Sequence, residues 1–314
     1  IFYCKNRLNG FFLKNVYKTS FLDVGFVRNY HRPFIPLMPL AAKSLNLGDR
    51  YDLIISDTAG FAKGVSYQKG FHMAYCHTPL RYAWEYSNYF ENPIFKAAAK
   101  PVFEFLKRWD FETAQRPNIF LANSRFIADK IAKYYGRNAQ VVYPPVDTAR
   151  FYYDKKLDSQ NKDKKYYLAV GRLLHYKMFD LIIDAFKMID APLKIVGVGP
   201  EEKKLKSKIS DINLARRGKI EFLSFVSDDE LRRLYHGAKA LIVPQVEDFG
   251  LVTAEAQNCG TPVIAFRGGG SLEIVEEGQT GLFCDVQETL SLAAALIKFE
   301  SMKFERSRIS GFGQ

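Results

Sequence analysis

The chain has 314 residues, 47% of them hydrophobic, with 45 Lys/Arg against 34 Asp/Glu. That length accommodates two α/β domains, each with its own core, and the composition is that of a globular protein rather than a disordered or fibrous one. No stretch approaches the roughly 20 apolar residues of a membrane span, and none has the layout of a secretory signal peptide.

The four cysteines, Cys4, Cys76, Cys259 and Cys284, lack the paired spacing of a metal site. Their apolar surroundings predict buried, reduced thiols for the last three. The charge is uneven: residues 1–150 hold 21 basic against 11 acidic side chains, residues 151–314 hold 24 against 23. Within residues 1–32, six basic residues and Asp23 are interleaved with Phe2, Tyr3, Phe11, Phe12, Tyr17, Phe21, Phe26 and Tyr30. Such a mixture suits a surface that meets anionic lipid headgroups, or nucleic acid, or is simply a solvated basic face over an aromatic core.

In chain order, the first strands are expected at 51–57 and 72–78. A long helix is expected over about 93–115, then strands at 118–123 and 139–144. Ser124 is a helix N-cap for "RFIADKIAKYYG", and Gly136 closes that helix. The chain opens on Ile1 within structured-looking sequence, and the first half has fewer strands than a complete doubly wound domain. An N-terminal βα unit is therefore expected to be missing. Residues 147–165 are polar and aperiodic and read as a linker, which divides the chain into 1–150, a 151–165 connection and 166–314.

The second half alternates with great regularity. Strands are expected at 166–170, 193–199, 219–225, 238–244, 262–266 and 281–285. Helices are expected at 178–189, from Pro200, at 227–238, at 250–260, at 271–278 and from about Gln287. Short apolar strands alternating with helical periods make βαβ units and a parallel sheet.

Ligands of open α/β sheets bind beyond the carboxyl ends of the strands. Those ends are Gly171-Arg172, Gly197-Val198-Gly199, Pro244 to Gly250 and Arg267 to Gly270. Lys177 stands at a helix start, where a cation opposes the helix dipole unless an anion is bound nearby. With Arg172 it can straddle a diphosphate, or both can be exposed loop residues. In "PQVEDFGLVTAEAQNCG", Glu247 precedes the helix that begins at Phe249-Gly250, and Glu255 lies eight residues later. At ~1.5 Å per residue the two carboxylates are up to roughly 12 Å apart, the span from sugar to ribose in a nucleotide sugar. The helix N-terminus between them offers free N–H groups to phosphates, and Gly250 admits a close approach. The alternative is that Glu247 and Asp248 only cap the helix. "GVGPEE" lacks the last glycine of a dinucleotide fingerprint, so an NAD reading is weak. "FRGGGSLEI" is a ligand cradle or a tight turn. His77, at a strand end with Arg81 and Trp84 following, is expected to face an interdomain cleft. "SDDE" at 227–230 opens a helix with Ser227 as cap rather than binding metal, and no metal is expected.

Together these segments resemble the retaining GT-B glycosyltransferases of family 4, over nearly the whole chain. The E-x7-E element with its internal F-G (Glu247, Phe249, Gly250, Glu255), "GRLLHYK" and "VGVGP" match donor-binding strand ends of that family. "ANSRFIADKI" and "VVYPPVDTARF" match the end of its N-terminal domain. "RPFIPLMPLAAKSLNL", "YDLIISDTAGFAKGV" and "YCHTPLRYAW" resemble a mannosyltransferase-like subgroup of O-antigen or surface polysaccharide synthesis. The resemblance implies two Rossmann-like doubly wound domains facing a cleft. It implies that Arg172 and Lys177 neutralise the leaving diphosphate, Glu255 binds the ribose, Glu247 holds the donor sugar and His77 contacts that sugar. The backbone at Phe249, Gly250 and Leu251 would touch sugar and phosphate, with Gly171 and Gly199 at the diphosphate strand ends. The family's glycine-rich loop after its first strand is not found here.

The expected activity is hexosyl transfer, mannose first, from GDP-mannose or a UDP-sugar to a lipid-linked or glycan acceptor. The expected place is the inner face of the cell membrane, cytoplasmic and peripheral, with no cofactor and no nucleic-acid partner. A GT-B nucleotide-sugar 2-epimerase and a non-catalytic membrane or nucleic-acid binding protein are the alternatives.

Overall fold

The computed structural model describes residues 19–85, 93–160, 166–189, 191–216 and 220–312. The chain divides into two compact units at Tyr143/Pro144.

In the first unit, short helices α1 (Gly25–Asn29) and α2 (Met38–Ser44) precede strand β1 (Leu53–Thr58). Then come β2 (Phe71–Cys76), α3 (Arg81–Trp84), the long α4 (Pro93–Ala114), β3 (Ile119–Ala122), α5 (Arg125–Tyr135) and β4 (Ala139–Val141). The four strands are parallel and in the order β1-β2-β3-β4. Strands that advance in one direction through right-handed crossovers carry their connections on one face. Burial agrees: β1 alternates, with Ile54, Ser56 and Thr58 inside and Leu53 and Ile55 exposed, as is Phe71 on β2. The ends of α5 are those predicted. Ser124 Oγ accepts from the Ile127 N–H at 3.1 Å, and Gly136 takes the left-handed conformation at φ 63°. Cys76 on β2 is buried, and Cys259 and Cys284 of the second unit are free, buried thiols; Cys4 lies outside the described residues.

Inside the first unit Lys63 and Asp110 form a fully buried ion pair. The Lys63 ammonium also donates to the Gly60 carbonyl at 2.7 Å. The other oxygen of Asp110 accepts from Tyr135 Oη at 2.7 Å and from Trp84 Nε1 at 2.8 Å. Both oxygens of the buried carboxylate are thus given partners, the condition for a buried charge to be tolerated.

The second unit contains α6 (Lys155–Gln160), β5 (Tyr166–Val170), α7 (Phe179–Met188), β6 (Leu193–Val196), α8 (Glu202–Arg216) and β7 (Ile220–Leu223). It continues with α9 (Asp228–Gly237), β8 (Ala238–Val243), α10 (Leu251–Asn258), β9 (Val263–Phe266), α11 (Ser271–Ile274), β10 (Gly281–Cys284), α12 (Thr289–Glu300) and α13 (Arg306–Phe312). The parallel sheet has the order β10-β9-β8-β5-β6-β7. Two cores cover its faces. Tyr167 and Ala169 of β5 pack with Phe179, Ile182 and Phe186 of α7 and Leu292 and Leu296 of α12. Leu168 between them joins Tyr235 of α9, Ala256 of α10 and Phe151 on the other side. The apolar positions of α7 recur at i, i+3, i+4 and i+7, which is why one face of it is buried.

The stretch whose composition reads as a linker lies in the second unit over its described residues up to 160. Phe151 is buried in the core, and Asp158 of α6 pairs with Arg306 of α13 at 2.9 Å. The helix expected at 271–278 is a single turn, Ser271–Ile274.

Asp110→Ala leaves the Lys63 ammonium buried without its carboxylate, and is expected to cost about 3–5 kcal/mol. Urea unfolding followed by tryptophan fluorescence measures it, because both tryptophans report from the first unit: Trp84 bonds to Asp110, and Lys63 lies over the Trp109 ring.

Candidate functional site

In the second sheet the chain walks outward from β5 to β6 and β7, then returns to the other side of β5 and walks outward again through β8, β9 and β10. The crossovers leaving β5 and β8 therefore diverge, and such a reversal opens a crevice at the carboxyl ends of the two strands. The residues that follow β5 and β8 meet there. Lys177 Nζ lies 2.6 Å from Glu247 Oε1, both side chains mostly buried. Gln245 Nε2 donates to the same oxygen at 2.5 Å.

Each partner is held by its own loop. Lys177 ends a single turn of 3-10 helix, His175–Lys177, and the next residue, Met178, has φ 56° before α7 begins. A left-handed conformation at a residue with a long side chain is uncommon and costs energy. The Gln287 amide secures this corner, donating to the Pro244 carbonyl at 2.9 Å with Met178 Sδ 3.2 Å away. The Glu247 backbone is tied to the loop after β9: it bridges Gly269, and its carbonyl accepts from the Gly270 N–H at 2.8 Å.

Two glycines allow the loops to come so close. A Cβ on Gly199 would fall 2.4 Å from the Leu173 carbonyl oxygen, and one on Gly270 would fall 2.3 Å from that of Phe249. Gly269 and Gly270 thus serve loop packing against the Glu247 segment, while a Cβ on Gly268 would meet the Phe266 ring. Gly171 joins the same arrangement by donating its N–H to the Val196 carbonyl at 3.0 Å.

Gly250, at φ 109°, is the N-cap of α10, and no side chain caps the helix. Glu247 turns to Lys177 instead. The first turn of α10 therefore keeps N–H groups that nothing within the helix can satisfy. Phe249 is buried and Leu251 is exposed on either side of Gly250. One turn further, Glu255 accepts from Tyr235 Oη at 3.2 Å. Burial pushes its carboxyl up to about 7, Asp228 adds to the rise, and the Tyr235 hydrogen bond opposes it. Arg172 is exposed, and its guanidinium makes no hydrogen bond or ion pair among the described residues.

Ser227 caps α9, accepting from the Glu230 N–H at 3.3 Å, and Asp228 pairs with Arg150 at 2.6 Å, so this acidic run is helix chemistry. In the first unit His77 follows β2. Its Nε2 pairs with Asp57 at the end of β1, its N–H donates to the Thr58 carbonyl at 2.9 Å, and its carbonyl accepts from Asn123 at 3.1 Å. Trp84 turns inward to Asp110. Gln245, Tyr235 and Asp57 were not legible as site residues. Gln245 carried a faint signal, two residues before Glu247 and so on the same side of an extended chain; the other two carried none.

The model of the family described as glycosyl transferases group 1 matches residues 154–313, and that of glycosyltransferase family 4 matches residues 11–150. An uncharacterized glycosyltransferase of Methanocaldococcus jannaschii is 33% identical over 163 residues, 52% of this chain and 44% of that protein. A GDP-mannose-dependent alpha-(1-6)-phosphatidylinositol monomannoside mannosyltransferase of Mycolicibacterium smegmatis is 29% identical over 194 residues, 55% of this chain and 50% of that protein. The chain thus spans half or less of the length of these relatives. Among solved structures, HepE of Anabaena in complex with UDP is similar with a TM-score of 0.61 at 21% identity, over 78% of this chain and 66% of that one. That likeness is one of fold: two Rossmann-like parallel-sheet units of the GT-B class.

Glu255→Gln tests the buried carboxylate. The native carboxyl titrates at about 7 and an ordinary one at 4.5, so the folded state holds its proton more tightly. That contribution to stability is full below pH 4.5 and is lost as the pH rises to 7. Glutamine has no such loss. The variant is expected to be more stable than the native chain at pH 8, by roughly 1–3 kcal/mol after allowance for partial exposure, with the gain largely gone at pH 5. Thermal unfolding at the two pH values reads it.

Proposed function

The chain belongs to the glycosyl transferases group 1, and from that premise we propose that it transfers a hexose from a nucleoside-diphosphate sugar. The observation that carries the proposal is the Lys177–Glu247 pair, set beside the uncapped N-terminus of α10 where the strand order reverses. An ammonium has three donors and no acceptor. One reaches Glu247, and the others are free for a phosphate. Breaking the glycosidic bond gathers negative charge on the departing diphosphate and positive charge on the sugar. Lys177, Arg172 and the N–H groups of Leu251 and its neighbours oppose the first at the moment it develops. Glu247, held by Lys177 and Gln245, is proposed to accept from the donor sugar. Glu255 is proposed to take the ribose hydroxyls, with Gly171 and Gly199 keeping the strand ends open to the diphosphate. His77, held by Asp57, is proposed as a further sugar contact.

The finer reading is a retaining reaction, in which the acceptor attacks the face that the diphosphate leaves. The Glu247 carboxylate is engaged by a cation and an amide, which suits it to positioning rather than to covalent attack. The donor proposed first is GDP-mannose, on the strength of the mycolicibacterial relative, and a UDP-sugar is the rival. The acceptor proposed is a lipid-linked or other glycan of surface polysaccharide synthesis. Cytoplasmic placement at the inner membrane face goes with it, through the basic and aromatic N-terminal stretch. Phe2, Tyr3, Phe11, Phe12 and Tyr17 of that stretch lie outside the described residues; Phe21, Phe26 and Tyr30 are exposed. Among the described residues no helix is long and apolar enough to cross a membrane. Neither metal nor cofactor is part of the proposal, because its cations are side chains.

The experiment is to incubate the protein with GDP-mannose and with UDP-sugars, with and without a lipid-linked acceptor, and to follow sugar transfer and donor hydrolysis. Turnover of one donor class is expected. Lys177→Ala and Arg172→Ala should each lower kcat, Lys177→Ala by about 10²–10³-fold. Conversion of a UDP-sugar to its 2-epimer without acceptor would replace the transferase by an epimerase. Failure to bind any nucleotide sugar would overturn the proposal.

A further inference from the structure

Glu255 projects from the second turn of α10, and its only side-chain partner among the described residues is Tyr235 of the preceding helix α9. The tyrosine is fully buried and immobilised at both ends. Its ring packs in the core, edge-on to Phe151 with ring centroids 5.9 Å apart. Its carbonyl accepts from Thr261 Oγ1 at 2.7 Å and from Arg306 Nη2 at 3.0 Å. The hydroxyl therefore cannot swing to another acceptor without disturbing the core. Burial, with the Glu255 carboxylate beside it, raises the phenol well above its ordinary range, so it remains a donor at neutral pH.

A carboxyl group accepts most strongly from two vicinal hydroxyls when it is ionised and presents a free oxygen in a fixed direction. Tyr235 occupies Oε2 and leaves Oε1 unpartnered among the described residues. We infer that Tyr235 is a positioning residue for nucleotide binding: its buried hydroxyl orients Glu255 and favours the ionised form that grips the ribose diol. This rests on the reading of Glu255 as the ribose acceptor.

The electrostatics set a second expectation. The groups that face Glu255 are Tyr235 and Asp228 of α9, and Cys259 follows it in the chain. Arg232 of α9 and Arg306 of α13 act on Cys259. Burial and Asp228 raise the Glu255 carboxyl, and the Tyr235 hydroxyl lowers it. Ribose recognition should therefore weaken as the pH falls through about 7, the point at which that carboxyl titrates. Removing the hydroxyl should move the midpoint of that change to higher pH.

The test is calorimetric titration of the full chain with GDP and UDP and with their 2′,3′-dideoxy analogues, between pH 5.5 and 8.5. The ratio of ribo to dideoxy affinity isolates the diol, because phosphate ionisation is common to both. In the native chain the ratio is expected to be at least about tenfold at pH 8 and to fall toward one at low pH. In Tyr235→Phe it should fall by about threefold at pH 8, with its midpoint displaced upward and dideoxy affinity unchanged. If this variant does not fold, 3-fluorotyrosine placed at 235 keeps the ring and strengthens the donor, and the midpoint should move to lower pH. A Tyr235→Phe chain with the native ratio and native midpoint overturns the positioning role while leaving the ribose reading intact, as does an unmoved midpoint with fluorotyrosine. A native chain with no preference for ribonucleotides, or a Glu255→Gln chain that keeps it, overturns the ribose reading and the inference together.

Discussion

The second unit is organised around a single electrostatic contact. Lys177 and Glu247 are 70 residues apart in sequence and touch only because the sheet reverses its order between β5 and β8. Two opposite charges, each mostly withdrawn from water, must stay together or pay for desolvation alone. The pair therefore pins the turn before α7 to the segment before α10. The loop after β9 is then drawn in by the backbone of Glu247, and the loop after β6 closes on the turn after β5 through Gly199. The strand ends are brought to one place before any ligand arrives, which is what preorganisation requires.

This arrangement carries local costs. Helices α5 and α9 close their first turns with serine side chains. Helix α10 leaves its own uncapped although two acidic residues precede it. Met178 sits in a left-handed conformation, and Glu255 holds a carboxyl where burial disfavours its charge. Strain, a bare helix end and a desolvated acid recur together where a site needs unsatisfied groups aimed at a ligand. The cost is spread over a well-packed, two-faced core that can bear it.

The first unit follows a different logic. Its four strands advance one way, and among the described residues β1 alternates buried with exposed side chains. The stabilising element inside it is the Lys63–Asp110 pair, further bonded to Tyr135, Trp84 and the Gly60 carbonyl. That network fixes the chain just beyond β1, next to the strand end that carries Asp57, the partner of His77.

What the sequence by itself determined is local. The alternation of short apolar runs with 3.6-residue periods placed the strands and helices of the second unit, and serine and glycine marked both ends of α5. Lys177 before a helix, Glu247 after a strand and Glu255 one helical span later were also local facts, because a helix end and a strand end are recognisable within a few residues. Only the tertiary structure decided which of them meet. Nothing near Tyr235 announces Glu255, nothing near Gln245 announces Lys177, and nothing in 147–160 announces that Phe151 belongs to a core. Those contacts are set by strand order and by which face of the sheet each crossover takes, and such long-range geometry leaves no periodic trace in the chain.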